Sequence, residues 1–444
     1  MHIGTRLELF VDDYLIEKMR GVALKLHPPQ PQEVAIRFDR PWEGPYSAYP
    51  SVLQDGDTFR LYYRGWATDH TPEVTCVAES GDGKKWIKPR LGLCEWNGSR
   101  ENNIVWTGYG NHCFAPFIDL NPAAKKSERY KAIAGCPPVG LVSPDGLHWK
   151  QVGKPPLISQ GAFDSLNLAF WDTLQQQYVA YVRTWDDGGG RVTNDFTGYR
   201  SIGRATSPDF RHWSDTVEID YGSSPREQLY TNAITPYFRA PHIYLSFPKR
   251  FMEARKRVME YAEAGISETV FMTSRDGHRW DRRFMEAMIR PGRDRLNWTD
   301  RSIMTAWGIL QTAPDELSLY YTENYKHKTN RLRRASLRLD GFVSVNAPFG
   351  GGQMVTRPFT FAGRELVLNY ATSAAGSMQV EVQDEYGKPL AGFALKNCPV
   401  MYGDEIAEAV SWRAGTDLSS LAGRTVRLRF VMKDADLYSL QFRA

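Results

Sequence analysis

At 444 residues the chain is long enough for two or three domains of average size, or for one large repeat domain and a smaller one. Its net charge of +4 is spread along the sequence, with no basic tail of the kind that binds nucleic acid, and no run of eighteen apolar residues offers a membrane span. Five cysteines, at 76, 94, 113, 136 and 398, have no CxxC spacing and an odd count, so neither a disulfide framework nor a structural zinc site is indicated and buried free thiols are expected.

Residues 1–39, which include LELFVDDYLIEK, read as a strand and a wrap around the domains that follow. They carry no basic segment followed by an apolar run, so a cytoplasmic protein is expected. A chain whose export signal had been removed would read the same. Asp12 and Asp13 lie ahead of the first repeat and are set aside as site residues.

A repeat occupies the next 300 or so residues. SGDGKKW, SPDGLHW, SPDFRHW and SRDGHRW place Trp86, Trp149, Trp213 and Trp280 at spacings of 63, 64 and 67. Upstream of each Trp lies an aromatic, β-rich run: FRLYYRGW, ERYKAIAG, QYVAYVRTW and HIYLSFPKR, with a fifth in ELSLYYTENY. An apolar run precedes each of these, and a third run, such as VTCVAES or SIGRATS, leads into each Ser-x-Asp turn. The last copy, RLRRASLRLDGFVSV, keeps only Leu-Asp-Gly and sets Phe342 near the Trp position. Each unit is therefore three strands, a tight turn and a fourth strand, since Asp and Gly tolerate the positive φ of such turns. Five units give an all-β chain with a five-bladed β-propeller over 40–349. From 350 to 444 the period stops, and short alternating strands such as RELVLNYAT and SMQVEVQDE read as a β-sandwich without a Cys-Trp-Cys pattern.

A propeller with Ser-x-Asp-x-x-x-Trp hairpins followed by a sandwich resembles the five-bladed glycoside hydrolases of families 32, 43 and 68 and their relatives. SPDFRHW matches their hairpin best. The chain departs from them in lacking a WMNDPNG-like stretch and an Arg-Asp-Pro, and where family 43 opens its first blade with Asp the nearest carboxylate here is Glu43. The hairpin is also similar to the sialidase Asp-box, but is one residue shorter. The resemblance implies carboxylate acid/base hydrolysis of a glycosidic bond, with three acidic residues drawn from consecutive blades.

Strand polarity locates the site independently. The start of strand one, the end of strand two and the loop to strand three share one face of a propeller. The segments leading into the five first strands hold Glu43, Asn111 with His112, Asp164, Glu227 and Asp300, the candidate catalytic residues. Asp164, Glu227 and Asp300 fall in consecutive blades and form the first choice, with Glu227 as the acid; Asp300, Glu43 and His112 form the second. Strand-two ends add Arg64, Trp66, Arg183, Trp185, Lys249, Arg250 and Glu323 with Tyr325; with Trp42 and Tyr230 they make the expected binding surface. Arginine pairs with carboxylate or sulfate through two parallel hydrogen bonds, so an acidic sugar is one expectation. Asp186 and Asp187 lie in a glycine-rich loop and read as loop residues.

These features imply a glycoside hydrolase acting on a terminal sugar. The alternatives are a carbohydrate-binding propeller without catalysis and a glycoside phosphorylase with Arg64, Arg183 and His112 around phosphate. No cofactor is required, and a structural calcium ion is not indicated. The partner is a carbohydrate, with no nucleic acid or membrane, and a homo-oligomer is left open.

Overall fold

The computed structural model describes residues 1–186, 198–413 and 415–444. The chain divides into two compact units, one of Pro29–Ser336 and one that joins Met1–Pro28 to Leu337–Ala444.

The first unit is a five-bladed propeller. Blade 1 runs Ala48–Asp55, Thr58–Gly65, Val74–Ser80 and Ile104–Trp106, each strand antiparallel to the next. Blade 2 uses Ala115–Ile118, Tyr130–Ala134, Val139–Ser143 and Lys150–Val152, and blade 3 uses Leu168–Asp172, Gln177–Trp185, Arg200–Ser207 and Val217–Glu218. Blade 4 is built from Thr235–Tyr237, Ala240–Ser246, Met272–Ser274 and Trp280–Asp281, with a side hairpin of Lys249–Met252 and Ile266–Thr269. The stretch from Lys249 is thus a strand and a loop.

Blade 5 closes the ring in a way the repeat does not announce. Met304–Thr305 and Leu310–Ala313 pair with Glu316–Glu323, which is followed by Arg331–Arg338, but the outer strand is Gln30–Arg37 from the start of the chain. The degenerate Leu-Asp-Gly copy supplies no fourth strand; Val343–Ala347 pairs instead with Ala23–Leu26 in the other unit. The expected boundaries at 39 and 349 therefore move to 28 and 336. Sharing this blade ties the strand that opens the propeller to the strand that ends it. At the axis, Val52 N donates to Trp307 O at 2.7 Å and Trp307 Nε1 donates to Ile234 O at 2.8 Å, tying blades 1, 5 and 4 together.

The repeated hairpin is an inter-blade staple. In blade 2, Ser143 Oγ accepts from Gly146 N at 2.9 Å, and Asp145 Oδ1 accepts from the amides of Leu147 and His148 at 2.9 Å each. Gly146 O then accepts from Trp149 Nε1 in its own hairpin and from Tyr62 Oη of the preceding blade, at 2.8 and 2.9 Å. Gly277 O accepts Tyr181 Oη in the same way at 2.7 Å, and Gly83 O accepts Tyr320 Oη. Only glycine fits this turn. Gly146 has φ +80°, and a Cβ there would lie 2.6 Å from Tyr62 Oη.

The third hairpin departs from the pattern for a physical reason. Blade 2 carries Ile133 at the position of Tyr62 and Tyr181, so no hydroxyl reaches across. Phe210 replaces the glycine, at φ +68°, and fills the space against Phe117 and Tyr178, with ring centroids at 5.8 and 5.6 Å.

In the second unit an eight-stranded sheet is led by two long antiparallel strands, Glu365–Asp384 and Val426–Arg443. Leu366, Leu368 and Tyr370 from one half share a core with Met378, Val380 and Val382 from the other, across the bulge between Thr372 and Ser377. The two halves of the sheet thus share one core. All five cysteines are free; Cys76, Cys113 and Cys398 are buried as expected, but Cys94 is half-buried and Cys136 is exposed.

Candidate active site

The side chains that meet on the funnel face come from all five blades. Their centre is His112, in the short 3-10 turn Asn111–Cys113 ahead of blade 2. Its Nδ1 lies 2.9 Å from Glu73 Oε1 and its Nε2 lies 2.9 Å from Asp164 Oδ1. Glu73 sits in the loop between strands two and three of blade 1, and Asp164 leads into blade 3. Burial works against charge on this imidazole, but the hydrogen bonds to Asp164 and Glu73 outweigh it and raise its pKa. Charged His112 donates to both carboxylates. For Asp164, burial acts upward, yet the His112 bond and the nearby Arg183 and Arg64 hold it below the usual carboxylate range. The Asp164 side chain is 56 % exposed.

Behind this trio stands Arg64, at the end of strand two. It is buried; it donates to Tyr46 O at 2.8 Å and to Tyr325 Oη at 3.1 Å, and its guanidinium lies 4.8 Å from the ring centroids of both Tyr49 and Trp66. Tyr49 adopts φ +53° and sets its ring 5.6 Å from that of His112. A bulky residue in this region is strained, and such strain collects where a site demands a particular side-chain direction. Beside the trio opens a cavity of about 620 Å3, lined by Glu73, Tyr109, Asn111, His112, Cys136 and Asp164 among others. That volume is in the range of small-ligand sites.

A second cluster comes from blades 4 and 5. Asp300 is buried and gripped by Arg301, with Nη2 at 2.6 Å, and by Lys326 Nζ at 2.9 Å. Burial opposes its charge, but Arg301, Glu263 and Lys326 hold its pKa low. Tyr230 lies between the clusters: Lys249 Nζ is 4.2 Å from its ring centroid, Arg183 is at 5.1 Å, and Arg301 donates to its hydroxyl at 3.4 Å. Burial drives Lys249 well below the usual lysine pKa, with Arg301 adding to the effect; Asp300 and Asp164 both act on it from the other direction. Lys249 and Tyr230 thus sit within reach of both carboxylates.

Of the five expected catalytic residues, His112 and Asp164 line the cavity, and Asp300 lies buried in the second cluster. Glu43 reaches neither. It is fully enclosed, accepting from Tyr63 Oη and Lys88 Nζ at 2.5 Å each and from Arg40 N at 3.1 Å. Trp42 lies with it, donating to Asn103 Oδ1 at 2.9 Å. Glu227 is held between Arg282 at 2.6 Å and Arg250 at 3.1 Å and serves as a tie between two segments of blade 4. Glu323 pairs with Arg331 and Arg333, on the outer side of blade 5.

Among the expected binding residues, Arg64, Trp66, Arg183 and Tyr230 surround the site, and Arg200 covers Trp185 at 4.6 Å. Arg64, Arg183 and Lys249 are buried, and Arg250 is bound to Glu227 and Glu268, so this set presents no open guanidinium for an acidic sugar. The loop 185–199 lies largely outside the described residues, Asp187 included; Asp186 pairs with Arg226. Among the described residues no group of three or more His, Cys, Asp or Glu could hold a metal ion.

Glu73 and Glu263 were not singled out in the sequence. Both lie in loops between strands two and three, which strand polarity assigns to this face, so a search of those loops for carboxylates would have found them.

No protein-family model matches the chain. An uncharacterised protein of Mycobacterium tuberculosis strain ATCC 25618 / H37Rv is 30% identical over 159 residues, 33% of this chain, and the chain spans about half (49%) of the length of that relative. Among solved structures, a glycoside hydrolase is similar with a TM-score of 0.47 and 14% identity, covering 70% of this chain and 92% of its own. An N-acetylgalactosamine deacetylase from F. plautii, in complex with blood group B trisaccharide, has a TM-score of 0.47 and 12% identity, with 71% and 96% covered. The catalytic domain of the Coprinopsis cinerea GH62 alpha-L-arabinofuranosidase has a TM-score of 0.45 and 10% identity, with 71% and 98% covered.

Proposed function

We propose that the chain is a glycoside hydrolase that cleaves a terminal glycosidic bond of an oligo- or polysaccharide in the propeller funnel. The observation that carries this reading is the Glu73–His112–Asp164 run beside a cavity of about 620 Å3. Asp164 is an ionised, half-open carboxylate, as a base toward water requires. His112 is a positioning residue: in its charged form it fixes one Asp164 oxygen and is itself fixed by Glu73. Trp66 and Tyr46, with ring centroids 5.0 Å apart, offer the aromatic surface on which a sugar ring packs.

The test is a panel of aryl glycosides and oligosaccharides, assayed with and without inorganic phosphate. Release of free sugar without phosphate supports the reading. Sugar phosphate formed only when phosphate is present identifies a phosphorylase. Saturable sugar binding with no turnover identifies a binding module.

A further inference from the structure

A second cavity, of about 630 Å3, lies at the other end of the propeller axis, and the reaction proposed above makes no use of it. Because successive strands are antiparallel, the turns joining strands one and two open on the same end as the Ser-x-Asp hairpins. The cavity is walled by the ends of the first strands of all five blades. It shares no residue with the cavity beside His112. Trp307 belongs to its wall, and the bonds of Trp307 to Pro50, Val52 and Ile234 cross the axis and hold that wall in place. Gly308, at φ +109°, presses the chain against blade 1; a Cβ there would collide with Val52 O.

The wall is aromatic and apolar. Phe117, Phe170, Trp171 and Trp307 line it from buried positions, and Phe238 stands half exposed at the rim. Its charged groups are already paired within the protein. Asp55 accepts from Arg129 and Tyr130, and Asp172 accepts from Tyr244 and from the amides of Leu174 and Gln175. Water needs polar partners inside a cavity, whereas an apolar one stays dry or takes an apolar guest. The surface around the mouth continues this chemistry. Leu120, Leu174 and Phe238 occupy the first turns of blades 2, 3 and 4 and are 62 %, 59 % and 50 % exposed. The same turns of blades 1 and 5 carry exposed Asp57 and Asp315. Three consecutive blades thus leave a large apolar side chain in the open on the face where an apolar cavity ends.

We propose that this cavity is a second binding site, for an uncharged aromatic or hydrocarbon molecule, separate from the funnel and independent of the glycosidase reading. Its volume suits a small ligand, and a largely apolar wall with a few polar groups is the make-up of such sites. The ligand is uncharged because the charges of the wall are spent on each other, and Asp57 and Asp315 on the same face disfavour an anion. Its body fills the space between the buried rings, and Leu120 and Phe238 cover the part that stays at the mouth.

Two fluorescent probes with the same ring system test it: phenylnaphthylamine, which is uncharged, and anilinonaphthalene sulfonate, which is an anion. The full chain should bind phenylnaphthylamine saturably, one per chain, and at least about 10-fold more tightly than the sulfonate. Ile309→Trp sets a ring into the cavity and should weaken phenylnaphthylamine at least about 10-fold. Phe238→Ser changes only an exposed side chain of the rim and should weaken it about 5-fold; it decides alone if Ile309→Trp does not fold. Absence of saturable binding, equal affinity for the two probes, or affinity that neither variant changes overturns the proposal. Sedimentation of the probe-free protein supplies the remaining outcome. A dimer that Phe238→Ser dissociates makes this face a contact between two copies of the chain, and the small-ligand site is then wrong.

Discussion

At the hairpin end of the propeller four loops make nearly the same bonds, whereas at the funnel end the five segments leading into the blades hold five different arrangements. Ser80, Ser143 and Ser274 each accept a glycine amide at 2.9 Å, and each of those glycines accepts a tyrosine from the preceding blade. The funnel residues share no such rule. Glu43 is walled in by Tyr63 and Lys88, Glu227 ties Arg250 to Arg282, and Asp300 is clamped by Arg301 and Lys326, while only Asp164 and His112 meet each other. Repetition marks a task every blade must perform, which is joining its neighbour. Where the repeat is abandoned, a residue does something its counterparts do not.

The largest effect expected from this contrast separates two carboxylates that hold equivalent positions. Asp164→Asn should lower kcat/KM for glycoside hydrolysis by about 10²–10⁴-fold with little change in melting temperature. Glu227→Gln should do the reverse. It leaves the buried Arg282 with a weaker partner, at a cost of about 1.5–3 kcal/mol seen in denaturant unfolding, while turnover of the folded enzyme is preserved. A Glu227→Gln enzyme that folds normally but does not turn over would return Glu227 to the mechanism.

The hairpin end can be challenged through its own exception. Phe210→Gly restores the motif in letters yet should destabilise the protein by about 3 kcal/mol or more, because it opens a cavity between Phe117 and Tyr178. Adding Ile133→Tyr supplies the hydroxyl that the other blades use, and the double variant should recover part of the loss in a double-mutant cycle. Additive costs would show that glycine and tyrosine are not a coupled pair.

The same contrast governs how much could be read from sequence. The staple needs Ser, Asp, Gly and Trp within seven residues, so its chemistry is local and its period betrays five blades. The direction of a lead-in carboxylate is not local. Glu43 is captured by Lys88, 45 residues away, and Glu227 by Arg282, 55 residues away, and no periodicity signals either partner. Ring closure is equally remote: Gln30–Arg37 resembles any strand until Arg331–Arg338 is seen beside it.

At the funnel, Glu73 offers a finer handle. Its hydrogen bond is one of two that raise the pKa of His112, and the proposed function uses His112 in its charged form. The alkaline limb of the kcat/KM profile should therefore report His112, and Glu73→Gln should move that limb to lower pH with a smaller loss at its optimum than Asp164→Asn. A purely structural Glu73 would lower the rate at every pH and leave the limb where it was.

The smallest expected effect concerns pH, to which the hairpin end responds on the acid side alone and the funnel end on both sides. At Asp145, Asp209 and Asp276 burial works against the charge, but bonds from the turn amides outweigh it and depress the pKa; at Asp82 the Lys85 amide leads and the direction is the same. A carboxylate with a depressed folded pKa contributes stability that is present above its unfolded value, about 3.9, and is lost as pH falls through the folded one. His112 has a raised pKa, so its contribution is complete below its unfolded value, about 6.5, and is lost as pH rises through the folded one. The hairpins should therefore loosen below about pH 4, as should the Asp164 end of the funnel run, while loss of the His112 charge weakens that run on the alkaline side as well. Thermal melts from pH 7 to pH 2 on wild type and on the Asp145→Asn/Asp209→Asn double variant separate the two. Asn keeps an oxygen for the turn amides but has no proton to gain, so the double variant should show a shallower fall in melting temperature below pH 4. If its acid limb overlays that of the wild type, the hairpin aspartates do not set the acid response, and the acid sensitivity lies in carboxylates outside the repeat.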